Sequence, residues 1–389
     1  MSKKIFLVAL ILILLCNFFA IFLSASAQKQ TGTNDTSSVD SILEGKISIG
    51  KDGEIKIIAK RDFELEELVS EFKKKGLKIG LALGGGSARG FAHIGVIQVL
   101  QAYGIPIDII AGTSIGSLVG SLYAAGDSIE NMEKAVLLLN KRKMLSVMDF
   151  TIPRSGLIRG NKIEKMLIDW GLEDKTFDEL NIPFAAVATD IESGGKVILH
   201  QGKVADAVRA SISIPGIFIP VKYGDRYLVD GGVVDPVPVD LAKEMGADII
   251  IAVSLAIKIQ PTTNKIITFD EKSNNLENTK DSIIAIMNSI LKEESISLKE
   301  KMNNGSKDEK YPDIVKIITN SLDIMQEIIT EQSLEGADII IIPFGIQGVS
   351  GFNFLEFDNP EPIIKGGLAA TFQKIPEIKK VIKEKIEQK

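Results

Sequence analysis

Residues 78–100, KIGLALGGGSARGFAHIGVIQVL, decide the fold. An apolar run at 78–83 leads straight into Gly84-Gly85-Gly86-Ser87-Ala88-Arg89-Gly90, and helical spacing resumes over 91–103. A strand that ends in glycines and opens a helix is the start of a β-loop-α unit. The same grammar recurs along the chain, with short apolar runs at 107–111, 184–188, 249–253 and 338–343 separated by amphipathic stretches. Strands that are apolar along their whole length are buried on both faces. The alternation therefore predicts an α/β protein whose mostly parallel central sheet is covered by helices on either side, a three-layer α/β/α domain.

The segments around this core are of other kinds. Lys3 and Lys4 precede an apolar run over 5–23, followed by Ser24-Ala25-Ser26-Ala27. A basic start, an apolar stretch and an Ala-x-Ala end read as a signal peptide, and the run is also long enough to serve as an uncleaved membrane anchor. Either way the protein is expected outside the cytoplasm: periplasmic, secreted or anchored on the outer side of the membrane. Cys16 follows Leu15, whereas a lipidated cysteine follows a small residue, so the segment is not read as a lipoprotein signal. Residues 28–40 are polar and aperiodic and read as a tether. A hairpin pattern (47–49 and 54–58, around Lys51-Asp52-Gly53) and a helical pattern over 63–75 make the rest of 28–76 a small N-terminal appendage. The catalytic domain is placed at 77–375, with 376–389 as a charged tail. Within it, 258–335 turns polar and charged, with helical patterns at 281–291 and 314–329, and reads as a helical insertion that serves as a lid or as a solvated linker.

Composition removes several classes of function. The 45 Lys and Arg against 51 Asp and Glu give a net charge of −6, and losing Lys3 and Lys4 with the first 27 residues makes it −8. No positive field is available to gather nucleic-acid phosphates. One Cys and two His cannot supply a Cys/His zinc site or a disulfide framework.

Three motifs can carry chemistry. The glycine loop 84–90 points backbone amides at the start of a helix, where an oxyanion or a phosphate is favoured. It lacks the Gly-Lys-Ser/Thr end of a P-loop, and Ser87 or Arg89 interrupts every dinucleotide-binding frame. The second motif, Gly112-Thr113-Ser114-Ile115-Gly116, lies between a strand and a helix, the context of a nucleophile elbow. The third, Tyr227-Leu228-Val229-Asp230-Gly231-Gly232, is a short strand ending in an acid and two glycines. It is either a plain turn or the seat of a carboxylate able to take a proton from Ser114. A histidine base is the usual alternative, but His93 precedes Ser114 and His200 precedes the acid, against the order Ser, acid, His.

Taken together and in this order, the three motifs resemble the patatin-like phospholipases, lipid acyl hydrolases with a Ser-Asp dyad. The resemblance is dense over 77–253, including 156–167, 186–194, 208–221 and 228–239, and weaker matches follow at 337–344 and 361–370. It implies a patatin-like fold, Ser114 as nucleophile and Asp230 as its base. It also implies the amides of Gly85, Gly86 and Ser87 as an oxyanion hole supported by Arg89, with Gly84, Gly90, Gly112, Gly116, Gly231 and Gly232 as motif glycines. Ser87 stands where relatives usually carry a further glycine. The resemblance implies phospholipase A or lysophospholipase chemistry on a lipid at a membrane surface, without metal or organic cofactor. A serine thioesterase or peptidase, or a membrane-binding module with little turnover, is the rival reading.

Overall fold

A computed structural model of the protein describes residues 37–50, 55–58, 62–138, 146, 148–151, 155–172, 174–256, 314–345 and 359–389. The expected signal or anchor at 1–27, most of the tether, and the insertion up to residue 313 lie outside the described residues. Residues 1–258 with 315–389 form one compact unit, and 259–314 a second.

Among the described residues the central sheet has eight strands. Five are parallel, in the order β10 (Ile339–Ile341), β9 (Ile249–Val253), β3 (Ile79–Leu83), β4 (Ile109–Thr113) and β5 (Phe184–Asp190). β6 (Lys196–Leu199) and β8 (Arg226–Asp230) pair antiparallel with β5, and β7 (Val221–Tyr223) pairs antiparallel with β8. β3, β4, β5 and β9 are buried at every residue, as their unbroken apolar runs require.

Alternation along each strand builds the two outer layers. Ile79, Leu81 and Leu83 of β3 and Ile249, Ile251 and Val253 of β9 enter one apolar cluster, packed under α3 (Ala92–Ala102), α4 (Ile115–Ala124) and α10 (Pro360–Gln388). Ala82, Ala111, Ala185, Ile250 and Ala252 enter a second cluster under α8 (Val239–Glu244). The fold is therefore the three-layer α/β/α arrangement predicted from the sequence. Small side chains dominate the second face, so α8 lies close on the sheet. α3 and α10 cross at glycines: a methyl group on Gly95 would collide with the Ile364 carbonyl, and one on Gly367 with that of Ala92.

Two boundaries differ from the sequence reading. The stretch 376–389, expected as a charged tail, continues α10 and buries Ile378, Ile382 and Ile386 in the main core. Its isoleucines recur every four residues, a helical stripe among lysines and glutamates. The N-terminal appendage shares that core. The hairpin of β1 (Ile47–Ile49) and β2 (Ile55–Ile57) and the helices α1 (Ser37–Leu43) and α2 (Phe63–Lys74) contribute Val39, Leu43, Ile55, Leu65, Val69 and Phe72. Lys379 of α10 bridges Asp62 at 3.0 Å and Glu64 at 2.8 Å, at the start of α2.

Ile382→Ala is expected to cost about 2–5 kcal/mol of folding stability, whereas Lys383→Ala on the exposed face stays within about 0.5 kcal/mol. Chemical denaturation midpoints check this. Two indistinguishable variants would mean that the C-terminal helix does not belong to the core.

Candidate active site

β4 ends at Thr113 and α4 begins at Ile115, so Ser114 carries the whole change of direction. It does so at φ 53°, ψ −124°, a conformation that costs a residue with a side chain about 1–3 kcal/mol. Local packing enforces it. A methyl group on Gly112 would run into the Ser117 backbone, and one on Gly116 into the Leu83 carbonyl, so only glycine allows β4, α4 and β3 to come this close. The Ser114 carbonyl accepts from the Ser117 amide at 2.8 Å and the Ser117 hydroxyl at 2.6 Å, which starts α4.

The turn leaves the Ser114 hydroxyl facing Asp230, the last residue of β8. Strand register brings them together: on β5, Val187 stands opposite Thr113 and the next residue, Ala188, opposite Asp230. The Ser114 Oγ donates to Asp230 Oδ2 at 2.5 Å, and the Gly232 amide donates to Oδ1 at 2.8 Å. Asp230 is only 3% exposed. Burial pushes its carboxyl up to about 6, against the pull of the Ser114 hydroxyl and the Gly232 amide. The Gly231 backbone lies against the Val187 carbonyl, where no side chain would fit.

One short segment grips both residues. At the end of α7 (Val204–Ser211), the buried Ser211 Oγ accepts from the Ser114 amide at 2.9 Å and donates to the Val187 carbonyl at 2.6 Å. Two residues on, the Ser213 carbonyl accepts from the Asp230 amide at 2.9 Å. Arg209, also buried, braces the segment by donating to Ser213 Oγ at 2.5 Å, to the Ile219 carbonyl at 3.1 Å and to the Arg159 carbonyl. Thr189 holds the Asp230 carbonyl at 2.9 Å. Sequence reasoning gave none of these residues a role, although 208–221 was among the stretches that carried the resemblance.

The glycine loop lies against the serine, and its amides divide into two groups. Gly84 donates to the Val253 carbonyl at 3.0 Å and Gly85 to that of Pro236 at 2.9 Å. Gly85, expected in the oxyanion hole, is thus a corrected assignment: its N–H is already committed to the fold. The amides of Gly86 and Ser87 have no hydrogen-bond partner among the described residues. Gly86 borders the same small cavity as Ser114 and Asp230. Ser87 sits at φ 52°, which explains why a glycine would be at home there, and it adopts the conformation nonetheless. The loop then enters a tight turn, Ser87–Phe91, in which Gly90 packs against Ile115. Arg89 is buried there, with its Nε on the Gly86 carbonyl at 3.2 Å and its guanidinium on Asp323 at 2.5 Å.

Neither histidine is hydrogen-bonded to Ser114 or Asp230. His93 is fully buried, and its Nε2 lies 2.8 Å from the Gly84 carbonyl, which can only accept, so that nitrogen carries the proton. Burial pulls the imidazole down to about 4, which keeps it neutral. Its role is to tie the glycine loop to α3. His200 is exposed at the end of β6.

The cavity is lined by Gly86, Ser114, Ile214, Pro215, Asp230, Val233, Leu322 and Gln326, and has room for about one water molecule. Leu322 and Gln326 come from α9 (Ile314–Ser333), the second of the two helices expected in the insertion.

A serine held on a strained strand-to-helix turn and bonded to a buried aspartate, beside two amides unpaired among the described residues, has the geometry that a serine nucleophile on an α/β fold would need. Residues 81–243 match the family described as patatin-like phospholipase. An uncharacterised NTE family protein of Mycobacterium tuberculosis is 42% identical over 180 residues, 46% of this chain and 49% of that one. The human patatin-like phospholipase domain-containing protein 6 is 35% identical over 186 residues, 46% of this chain but 13% of its own length. The chain thus spans about half or less of the curated relatives it matches. Among solved structures, VipD from Legionella pneumophila matches over 84% of this chain at 15% identity with a TM-score of 0.39.

Ser211→Ala strands the Ser114 amide without a partner. An unsatisfied buried donor costs about 1–3 kcal/mol, so labelling of Ser114 by a fluorophosphonate probe should slow by about 5- to 150-fold. An unchanged rate would show that Ser211 does not position the nucleophile. Replacing His93 and His200 together by glutamine should leave the labelling rate of the folded protein nearly as it was while lowering its thermal midpoint. Loss of labelling in that variant would restore a histidine base.

Proposed function

We propose that the protein is a serine lipid acyl hydrolase of phospholipase A or lysophospholipase type, cleaving carboxylic esters through an acyl-Ser114 intermediate with Asp230 as the only base. The single observation behind this reading is the 2.5 Å hydrogen bond from Ser114 Oγ to a carboxylate removed from water. As Oγ attacks the ester carbonyl carbon, its proton passes to Asp230 Oδ2, and the carbonyl oxygen becomes an oxyanion met by the Gly86 and Ser87 amides. Collapse of this intermediate breaks the ester C–O bond, and the leaving alcohol takes the proton back from Asp230. Water then attacks the acyl-serine, gives its proton to Asp230 and releases the fatty acid, after which Ser114 recovers the proton. Burial suits the base to this work, since a carboxylate held near 6 is a stronger proton acceptor than one in water and is still ionised at neutrality.

The family match supports a lipid as substrate, and the names of the relatives point the same way. The apolar run at 5–23 supports work outside the cytoplasm, at or near a membrane. Among the described residues no helix is long and apolar enough to cross a membrane.

Ser114→Ala should abolish hydrolysis of a chromogenic ester and of phospholipid while leaving the fold intact. Asp230→Asn should cost several orders of magnitude, because an amide cannot take the proton. Wild-type activity should fall as pH drops through about 6, where Asp230 is protonated, with no ionisation of an imidazole required. The sign for stability is opposite. Because the folded carboxyl lies above its usual 3.8, its burial removes stability as pH rises from about 4 to 6, by on the order of 2–3 kcal/mol. Asp230→Asn should therefore be inactive yet more stable than wild type at pH 8. An active Asp230→Asn enzyme would overturn the dyad.

A further inference from the structure

The cavity at Ser114 and Asp230 has no room for an ester substrate as it stands, and α9 contributes Leu322 and Gln326 to its wall. From Ile317 to Ser333 this helix presents two unlike faces. Inward it sets Ile318 against Gly216, Leu322 against the apolar cluster of Ile158, Ile214 and Ile217, and Gln326 against Gly232. Buried Thr319 and Thr330 lie on the same side. Asp323, on the Arg89 guanidinium, latches the helix to the loop that carries the unpaired amides.

The outward face carries an apolar stripe between the exposed polar residues Asn320, Ser321 and Glu331. Ile317, Ile324, Met325 and Ile328 are 46%, 49%, 49% and 72% exposed, and their spacing of seven, eight and eleven residues places them along one stripe. A helix on a protein surface ordinarily turns mainly polar residues to water, whereas here four large apolar side chains lie on the exposed side. Between residues 317 and 333 the helix has no lysine or arginine, and of its three acids Asp323 is held by Arg89, which leaves Glu327 and Glu331. An anionic surface would therefore be repelled rather than gathered. The four side chains expose roughly 400 Å², about half of what each partner gives to a standard protein interface. That is too little for a stable dimer but sufficient for shallow insertion into the edge of a lipid layer.

We infer that the outward stripe of α9 is the docking face for an electrically neutral lipid surface, and that docking there draws α9 off the dyad. The inference rests on the lipid hydrolase reading and adds how substrate gains entry. Contact with lipid rewards the outer face only at an interface, and breaking the Arg89–Asp323 contact frees the inner face. The gate is thus opened by the aggregate state of the substrate rather than by a single lipid molecule.

The full-length protein and its Ile324→Glu/Ile328→Glu variant would be compared by co-sedimentation with phosphatidylcholine vesicles, by hydrolysis of those vesicles and by hydrolysis of a soluble monomeric chromogenic ester. Both substituted positions are exposed and neither lines the cavity, so the monomeric rate should change less than twofold. Vesicle binding and hydrolysis should fall at least tenfold. Phosphatidylglycerol vesicles should bind the wild type more weakly than phosphatidylcholine at low salt. As a second probe, Leu322→Ala thins the inner face and should raise monomeric ester turnover several-fold. Equal vesicle binding by wild type and variant overturns the inference. So does a change of oligomeric state in light scattering, which would mean that the stripe is covered by another copy, and so does tighter binding to phosphatidylglycerol. If wild type and Leu322→Ala both fail to hydrolyse any ester while vesicle binding still depends on Ile324 and Ile328, the docking face stands and the hydrolase reading fails instead.

Discussion

A carboxylate with one serine hydroxyl and one backbone amide as its partners, cut off from water, is the constraint around which this structure is arranged. Such a group is costly to bury, and the cost is met only if its partners are held without slack. The surrounding structure supplies that rigidity from three directions. β5 sets Asp230 and the start of the serine turn on adjacent positions, the Ser211–Ser213 segment holds the amides of both residues, and Gly232 donates to the second carboxylate oxygen. The strain at Ser114 belongs to the same arrangement, because a relaxed backbone would carry the hydroxyl away from Asp230.

This explains which parts could be read from the sequence. The parallel core was legible because strands buried on both faces have to be apolar throughout, and 79–83, 109–111, 184–188 and 249–253 are. Ser114 and Asp230 were legible because close approach demands glycine, and Gly112, Gly116 and Gly231 all face backbone that would meet a methyl group. A glycine beside a polar residue is a local mark that survives in one dimension.

What escaped was decided by partners distant in the chain. Nothing in Gly84-Gly85-Gly86 distinguishes an amide bound to Pro236, 151 residues on, from one left unpaired. Ser211 is one buried serine among several, and only the third dimension sets it on the Ser114 amide. The C-terminal helix shows the opposite failure. Its isoleucines at 378, 382 and 386 were visible, but the high charge between them outweighed a stripe that a longer window over 360–388 would have recovered.

On the proposed mechanism, the closed position of α9 bears on the chemistry as well as on access. Leu322 and Gln326 complete the wall that keeps water from Asp230, and that exclusion is the main reason its carboxyl is raised. If α9 swung away into water, Asp230 would be rehydrated and its affinity for the serine proton would fall toward that of an ordinary carboxylate. A base tuned by burial therefore requires that whatever displaces the helix be as dry as the helix was. An acyl chain meets that requirement, since it replaces Leu322 with methylene groups and leaves polar contacts only at the ester, where the Gly86 and Ser87 amides wait. A small hydrophilic ester would arrive with its water and meet a weaker base. Under the proposed hydrolase reading, selectivity for lipid follows from the same desolvation that raises the Asp230 carboxyl.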